Sequence, residues 1–340
     1  MSWRREPGGV TGREGVDGDP VYATDTGSTP VPIGLEAVSP DAMTGIPTGG
    51  EARGTGNLGV QILRVFVQNK LAVVGVAIIV FFVLFCFVGP HLYATNQTNA
   101  QGALLYSNQN APPGHGHPLG TDDTGFDILG RLMFGGQASL TVGFLSAVVA
   151  TVVGVLYGAT AGFFGGPLDA LMMRIVDVLL SIPVLFLLIA LVTIFHASEV
   201  LLILVIAFVS WLIPARLIRG ETLTLRVREY VQAVRVMGGS RTRIVGRHIV
   251  PNAVGTIVVF ATFQIADSIL LLAALGFIGL GIPPPGTDWG SMLSNGVNYA
   301  LQGYWWEIYP AGLCIVLVVI AFNFIGDSLR DALEVRLQRR

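Results

Sequence analysis

Six long stretches of this sequence carry almost no charge, and that pattern leaves few folds open. A helix needs roughly 20 apolar residues to cross a ~30 Å hydrocarbon core. The first stretch runs from Leu71 to Gly89, and the second has its core at 138–164 within an uncharged run from Leu132 to Leu168. The third lies between Asp177 and Glu199, and the fourth between Glu199 and Arg216. The fifth starts near Asn252 and ends near Gly279, with Asp267 inside it; the sixth lies between Glu307 and Asp327. The fold class expected is therefore an all-α integral membrane protein with six transmembrane helices.

Composition agrees. Charged residues make up 12% of the chain and hydrophobic ones 52%, against roughly 25% charged in soluble domains. The mean hydropathy is +0.66. Cys86 and Cys314, the only two cysteines, both lie in apolar runs, which excludes a disulfide framework or a Cys-rich metal site. Nineteen Arg stand against one Lys, a bias that fits a bacterial source. That single Lys70 is followed by Leu71, so there is no G-x-x-x-x-G-K-[ST] loop for binding nucleotide phosphates.

Six spans put both termini on one side. With the termini inside, nineteen of the twenty basic residues fall on inner segments and only Arg131 on an outer one. By the positive-inside rule the topology expected is N-in/C-in, in a bacterial plasma (inner) membrane. Residues 1–57 are rich in Gly, Pro, Ser and Thr and read as a disordered cytoplasmic tail, with a short partner-binding segment as the alternative. Residues 58–70 alternate apolar Val60, Ile62, Leu63, Phe66 and Val67 with polar neighbours, which predicts an interfacial helix. The six-span domain is expected over 71–330 with a core at 138–328, and 331–340 as a C-terminal cytoplasmic tail.

The segment 226–252 is too long and polar for a simple connection. Gly238 and Gly239 predict the stop of one helix at Met237. Ser240 is an N-cap for a second helix, and Pro251 marks a break before the fifth span. On charge alone, this loop equally fits a segment that only fixes topology.

Gln232-Ala233-Val234, then Gly238, then His248-Ile249-Val250-Pro251-Asn252 resembles the EAA loop of ABC importer permeases. Gln232 replaces the usual Glu and Val250 the usual Leu. Three further segments resemble the second permease subunit of the dipeptide, oligopeptide and nickel branch. They are His117-Pro118-Leu119-Gly120-Thr121-Asp122 with Asp127, Arg131, Ser139 and Leu140; Asp177 to Pro183; and Phe277 to Gly281 with Pro283-Pro284-Pro285, Trp289-Gly290 and Met292-Leu293. Phe126, Gly130, Gln137 and Leu272 depart from the Arg, Ser, Arg and Glu frequent in that branch. The resemblance covers about residues 58–330 and implies a type I ABC importer permease fold. It implies an ATPase-coupling loop carried by Gln232, Ala233, Val234, Gly238, Gly239, Arg243, Arg247 and Pro251. The implied partners are ATPase subunits, which use ATP and Mg, a second related permease, and an extracytoplasmic binding protein at outer loops including 90–137 and 280–305. No cofactor is expected on this chain, which is not an enzyme on its own.

Other features have competing readings. Gly154, Gly158 and Gly162 form a flat stripe that reads as helix packing, static or sliding. Asp267, alone in the fifth span, reads equally as pathway-lining or as a structural hydrogen-bonding group; Gln264 and Ser268 of the same span are further pathway-lining candidates, but the three do not share one face throughout and are not read as one site. Asn323 reads as an interhelical hydrogen bond. His115 and His117 beside Asp122 and Asp123 lack a third ligand at tetrahedral-site spacing, so no metal is expected. Trp305 and Trp306 fit an outer aromatic belt in contact with lipid. No basic soluble face suggests nucleic acid.

The function expected is a permease subunit that forms half of a pathway for a peptide-like solute. The alternatives are nickel or another small solute, or a secondary transporter, which would need intramembrane charge pairs or an inverted repeat.

Overall fold

The computed structural model describes residues 66–93, 109–195 and 197–338. The tail expected at 1–57, and residues 58–65 of the expected interfacial helix, lie outside the described residues. Residues 66–68 form a helical turn, and Asn69 Oδ1 accepts from the Leu71 N–H at 3.0 Å to start α1. The described residues fold into α-helices without a β-strand.

Helix α1 (Lys70–Leu92) contains a π-helical turn at Leu84–Val88. Gln137 of the next helix donates to the Cys86 carbonyl in that turn at 2.7 Å. Helix α2 (Ile128–Phe164) has 37 residues, about 55 Å of helix, so it outruns the bilayer core. Asp127 caps it, accepting from the Gly130 N–H at 2.8 Å, and it ends at Gly165, whose φ of 65° no β-carbon would favour.

The third span is not one straight helix. Helix α3 (Gly166–Leu180) and α4 (Val184–Phe195) meet at 84°. Pro183 supplies no N–H and disfavours helix before it, and Ser181 Oγ donates to the Val178 carbonyl at 2.7 Å. The expected fourth span is likewise bent, by 42°, between α5 (Glu199–Ser210) and α6 (Leu212–Leu225), where Pro214 cannot bond the Ser210 carbonyl. It runs beyond the expected limit at Arg216. Among the described residues four helices are long and apolar enough to cross a membrane, or up to six if each bent pair is one span.

Two further readings need correction. Pro251 does not break the chain: α8 (Arg241–Phe277) runs through it, because a π-helical turn at Val245–Ile249 widens the backbone just before the missing donor. The region expected as an outer loop at 280–305 contains helix α9 (Trp289–Ala300), which its Ser, Asn and Gly content concealed. Its Trp289 is fully buried and donates through Nε1 to the Leu132 carbonyl at 3.0 Å. Trp306 is also buried, donating to the Thr121 carbonyl at 3.2 Å, so of the two tryptophans expected in a belt Trp305 alone keeps an exposed ring. The last helix, α10 (Tyr309–Gln338), continues past residue 330.

Helix α2 is the central post, packed on α6, α8 and α5; α1 lies against α10. Exposed apolar side chains line α1 (Val73, Phe81) and α2 (Phe144, Val148, Val152), as expected of surfaces whose solvent is lipid.

Candidate functional site

Between α6 and α8 the chain leaves the apolar layers and forms α7 (Glu229–Val236), with an exposed polar face and one apolar anchor. That anchor is Val231, fully buried with Phe163, Ile244 and Ile249. Arg226 ties the loop's start to the end of α2, donating to the Gly162 carbonyl at 2.9 Å. Arg235 and Arg241 lie over the rings of Phe163 and Phe164, each 5.6 Å from the centroid. These contacts fix the loop on the end of α2 around a cleft of about 720 Å³.

The end of α7 is a Schellman turn. Gly238 donates to the Arg235 carbonyl at 3.1 Å and Gly239 to the Val234 carbonyl at 2.9 Å, with Gly238 at φ 81°. A β-carbon on Gly239 would lie 2.7 Å from Val234 Cγ1, whereas one on Gly238 would meet nothing within 4 Å. Ser240 then starts α8, accepting from the Arg243 N–H at 3.4 Å. The turn pushes Val236 and Met237 out as an apolar knob, 87% and 77% exposed.

Of the residues singled out in this loop, Gln232, Ala233, Gly238, Arg243 and Arg247 are exposed, while Val234 and Gly239 are half-buried. Gln232 Nε2 donates to the Val227 carbonyl at 3.0 Å. Pro251 is exposed on α8, a few turns away. The anchor Val231 and the strut Arg226 escaped the sequence reading, although Val231 is an apolar residue between polar ones.

The glycine stripe meets the backbone of α6. A β-carbon on Gly154 would lie 2.9 Å from the Trp211 carbonyl oxygen, and one on Gly162 2.8 Å from that of Arg219; one on Gly158 would collide with the Ala215 carbonyl oxygen. The same face of α6 carries Arg219, which grips Asp169 of α3 through two bonds at 2.5 and 2.8 Å. Arg216 reaches Asp177 at 2.6 Å. These pairs brace the bent α3–α4 arm against α6, and only a partner search across helices could have found them.

In α8 the three pathway-lining candidates fall on different faces. Gln264 and Ser268 are buried, whereas Asp267 is exposed on another face. Asn323 donates to the Val319 carbonyl of its own helix at 2.8 Å, not to another helix. Leu272 is fully buried among apolar side chains of α2, α4 and α5.

Near the N-terminal end of α2, His117 Nδ1 pairs with Asp127 Oδ2 at 2.9 Å. Among the described residues no group of three His, Cys, Asp or Glu side chains can hold a metal. Asp122 Oδ1 accepts from the Phe126 N–H at 2.8 Å and from Thr124 Oγ1 at 2.7 Å. Burial pushes the Asp122 carboxyl above its ordinary value, opposed by the Thr124 bond and the charge of Arg131.

Residues 154–339 match the family of binding-protein-dependent transport system inner membrane components. Residues 57–113 match the N-terminal transmembrane domain of oligopeptide transport permease C. The oligopeptide transport system permease protein OppC of Haemophilus influenzae is 38% identical over 80% of this chain and 86% of its own length. OppC of Escherichia coli is 41% identical over 80% and 89%. The dipeptide transport system permease protein DppC of Bacillus subtilis is 35% identical over 80% and 84%. An inward-facing structure of the MetNI methionine ABC transporter aligns with a TM-score of 0.49 and 22% identity, over 59% of this chain and 96% of that one. The family match spans more than half the chain, including the loop, the glycine stripe and Asp267, and the chain belongs to the binding-protein-dependent transport system inner membrane components.

Proposed function

We propose that this chain is a permease subunit of an ATP-driven peptide importer, and that α7 and its exposed Val236–Met237 knob dock into an ATPase subunit. The carrying observation is the combination of a short helix anchored by Val231 on the end of α2 with an exposed apolar tip. A docked tip buries apolar surface, and the anchor passes its movement into α2. ATP and Mg belong to the ATPase partners. A second permease completes the pathway, and a binding protein delivers the peptide from outside. The relatives named as oligopeptide and dipeptide permeases support the substrate class. The test is uptake of radiolabelled tetra-alanine by vesicles holding the complex. Uptake should require ATP, the binding protein and this chain, and the ATPase should co-purify with it. ATP-independent uptake driven by an ion gradient would favour a secondary transporter instead.

The topology proposed is N-in/C-in in the bacterial inner membrane, from the basic asymmetry. Asn110→Cys should react with a membrane-impermeant maleimide from outside intact cells, and Thr242→Cys only after permeabilisation. Background is low because Cys86 and Cys314 are both buried. The reverse labelling pattern would invert the orientation and remove the loop from the cytoplasm.

A further inference from the structure

One open stripe of α8 is bipolar. Thr256, Phe260, Phe263 and Asp267 recur at intervals of three and four residues, so they share one face. The first three form the floor of a groove of about 390 Å³, within the range of small-ligand sites. Leu217 of α6 forms one wall, and Arg330 and Leu333 of α10 form the other. Phe263 lies across Gly326, where a β-carbon would approach its ring to 2.8 Å, so α10 hugs the stripe closely. Asp267 stands one turn beyond Phe263 toward the C-terminal end of α8, and it is exposed.

The stripe thus runs from Asp267, one turn past the groove on the same face of α8, through an aromatic middle to Arg330, which lines the groove itself. Arg330 lines the groove beside Thr256 and Val259. Eight to eleven residues of helix separate that level from Asp267, about 12–16 Å. An extended chain covers ~3.3 Å per residue, so four or five peptide residues span that distance.

We infer that this stripe holds a short peptide in transit, with its α-ammonium at Asp267, its carboxylate at Arg330 and its side chains against Phe260 and Phe263. The inference rests on the peptide-importer reading above and names the residues that would read the peptide's two ends. An acyl chain would suit the aromatic floor, but it brings no cation to a carboxylate within an apolar span, where an unmatched charge is costly. A zwitterion complements both ends. The guanidinium, with five donors, can take a carboxylate in addition to another partner.

The test separates charge from hydrogen bonding and from assembly. In vesicles holding the full complex, tetra-alanine uptake and binding-protein-stimulated ATPase activity are measured together for Asp267→Asn, Asp267→Glu, Arg330→Gln and Arg330→Lys. Asp267→Asn and Arg330→Gln should each lower uptake at least tenfold while stimulated ATPase activity stays within twofold of wild type. Asp267→Glu and Arg330→Lys should retain at least half the uptake. Asparagine keeps the shape and hydrogen bonding of aspartate, so a purely structural role would leave Asp267→Asn transporting normally, which overturns the inference. Loss of the second permease from the purified complex in the two neutral variants would make this face a subunit interface, and also overturns it. Absence of tetra-alanine uptake by the wild-type complex would instead remove the peptide reading itself, and this inference with it.

Discussion

Replacing Gly158 by leucine should sharply lower the amount of permease that assembles. A β-carbon there would collide with the Ala215 carbonyl oxygen and lie 2.9 Å from the Arg219 backbone nitrogen. Neither is a side chain that can swing aside. Gly154 and Gly162 hold the same α2–α6 seam one turn to either side, so the helices cannot tilt apart at one point without opening the others. Overpacking against movable side chains costs about 1–3 kcal/mol. Against backbone we expect the top of that range or more, on the order of a hundredfold shift away from the folded state. The seam also aligns Arg219 with Asp169, so separation would strip the bent α3–α4 arm of its brace. The measurement is the yield of monodisperse complex in detergent and its thermal midpoint. Gly220→Ala is the control: it lies on an exposed face of α6 where a β-carbon meets nothing within 4 Å, and alanine favours helix by about 1 kcal/mol. That variant should match or exceed wild type. A normal yield of Gly158→Leu would show that the seam is loose, and would favour a sliding interface over static packing.

The long apolar helices were legible in the sequence because lipid demands length and low charge, and both can be counted. Helices α2, α8 and α10 announce themselves this way. The bends at Ser181-Ile182-Pro183 and near Trp211 were not read, although prolines mark both, because hydropathy averages over a break that leaves composition unchanged. Helix α9 was hidden for the opposite reason: Trp289 and Met292 are its large buried anchors, and the surrounding Ser, Asn and Gly residues look like loop. Pro251 shows how a local rule yields to context, since a π-helical turn absorbs the missing donor. In the candidate site, the glycines and Ser240 were visible as helix punctuation. Arg226 and Arg219 were not, because their partners Gly162 and Asp169 lie about fifty or more positions away in sequence. Asp267, Gln264 and Ser268 are close in sequence, yet only α8's rotation against its neighbours decides which of them faces inward.

Replacing Gly238 by leucine should leave the spans intact and silence transport. The residue sits outside every span, and its β-carbon would meet no atom of this chain within 4 Å. Crowding inside the subunit is therefore not the cause of any defect. The cost comes from φ at 81°, where a side chain opposes its own carbonyl by about 1–2 kcal/mol. The cheapest relief is to unwind the Schellman turn, releasing the carbonyls of Val234 and Arg235 and moving the Val236–Met237 knob that the turn aims outward. If that knob docks into the ATPase, a small local penalty becomes a large functional one, because a misaimed tip transmits no movement to α2. Gly238→Leu should keep wild-type amounts of complex-competent permease in the membrane, lose ATPase co-purification at least tenfold, and lose tetra-alanine uptake. Gly238→Asn separates backbone from bulk, since asparagine accepts the left-handed conformation better than other side chains, and it should retain most of the coupling. Two results would count against docking by this turn: full uptake by Gly238→Leu, or equal loss in both variants with the ATPase still bound. The first would return the loop's arginines to a role in setting topology alone. The second would place the defect downstream of docking, in the path from Val231 to Phe163.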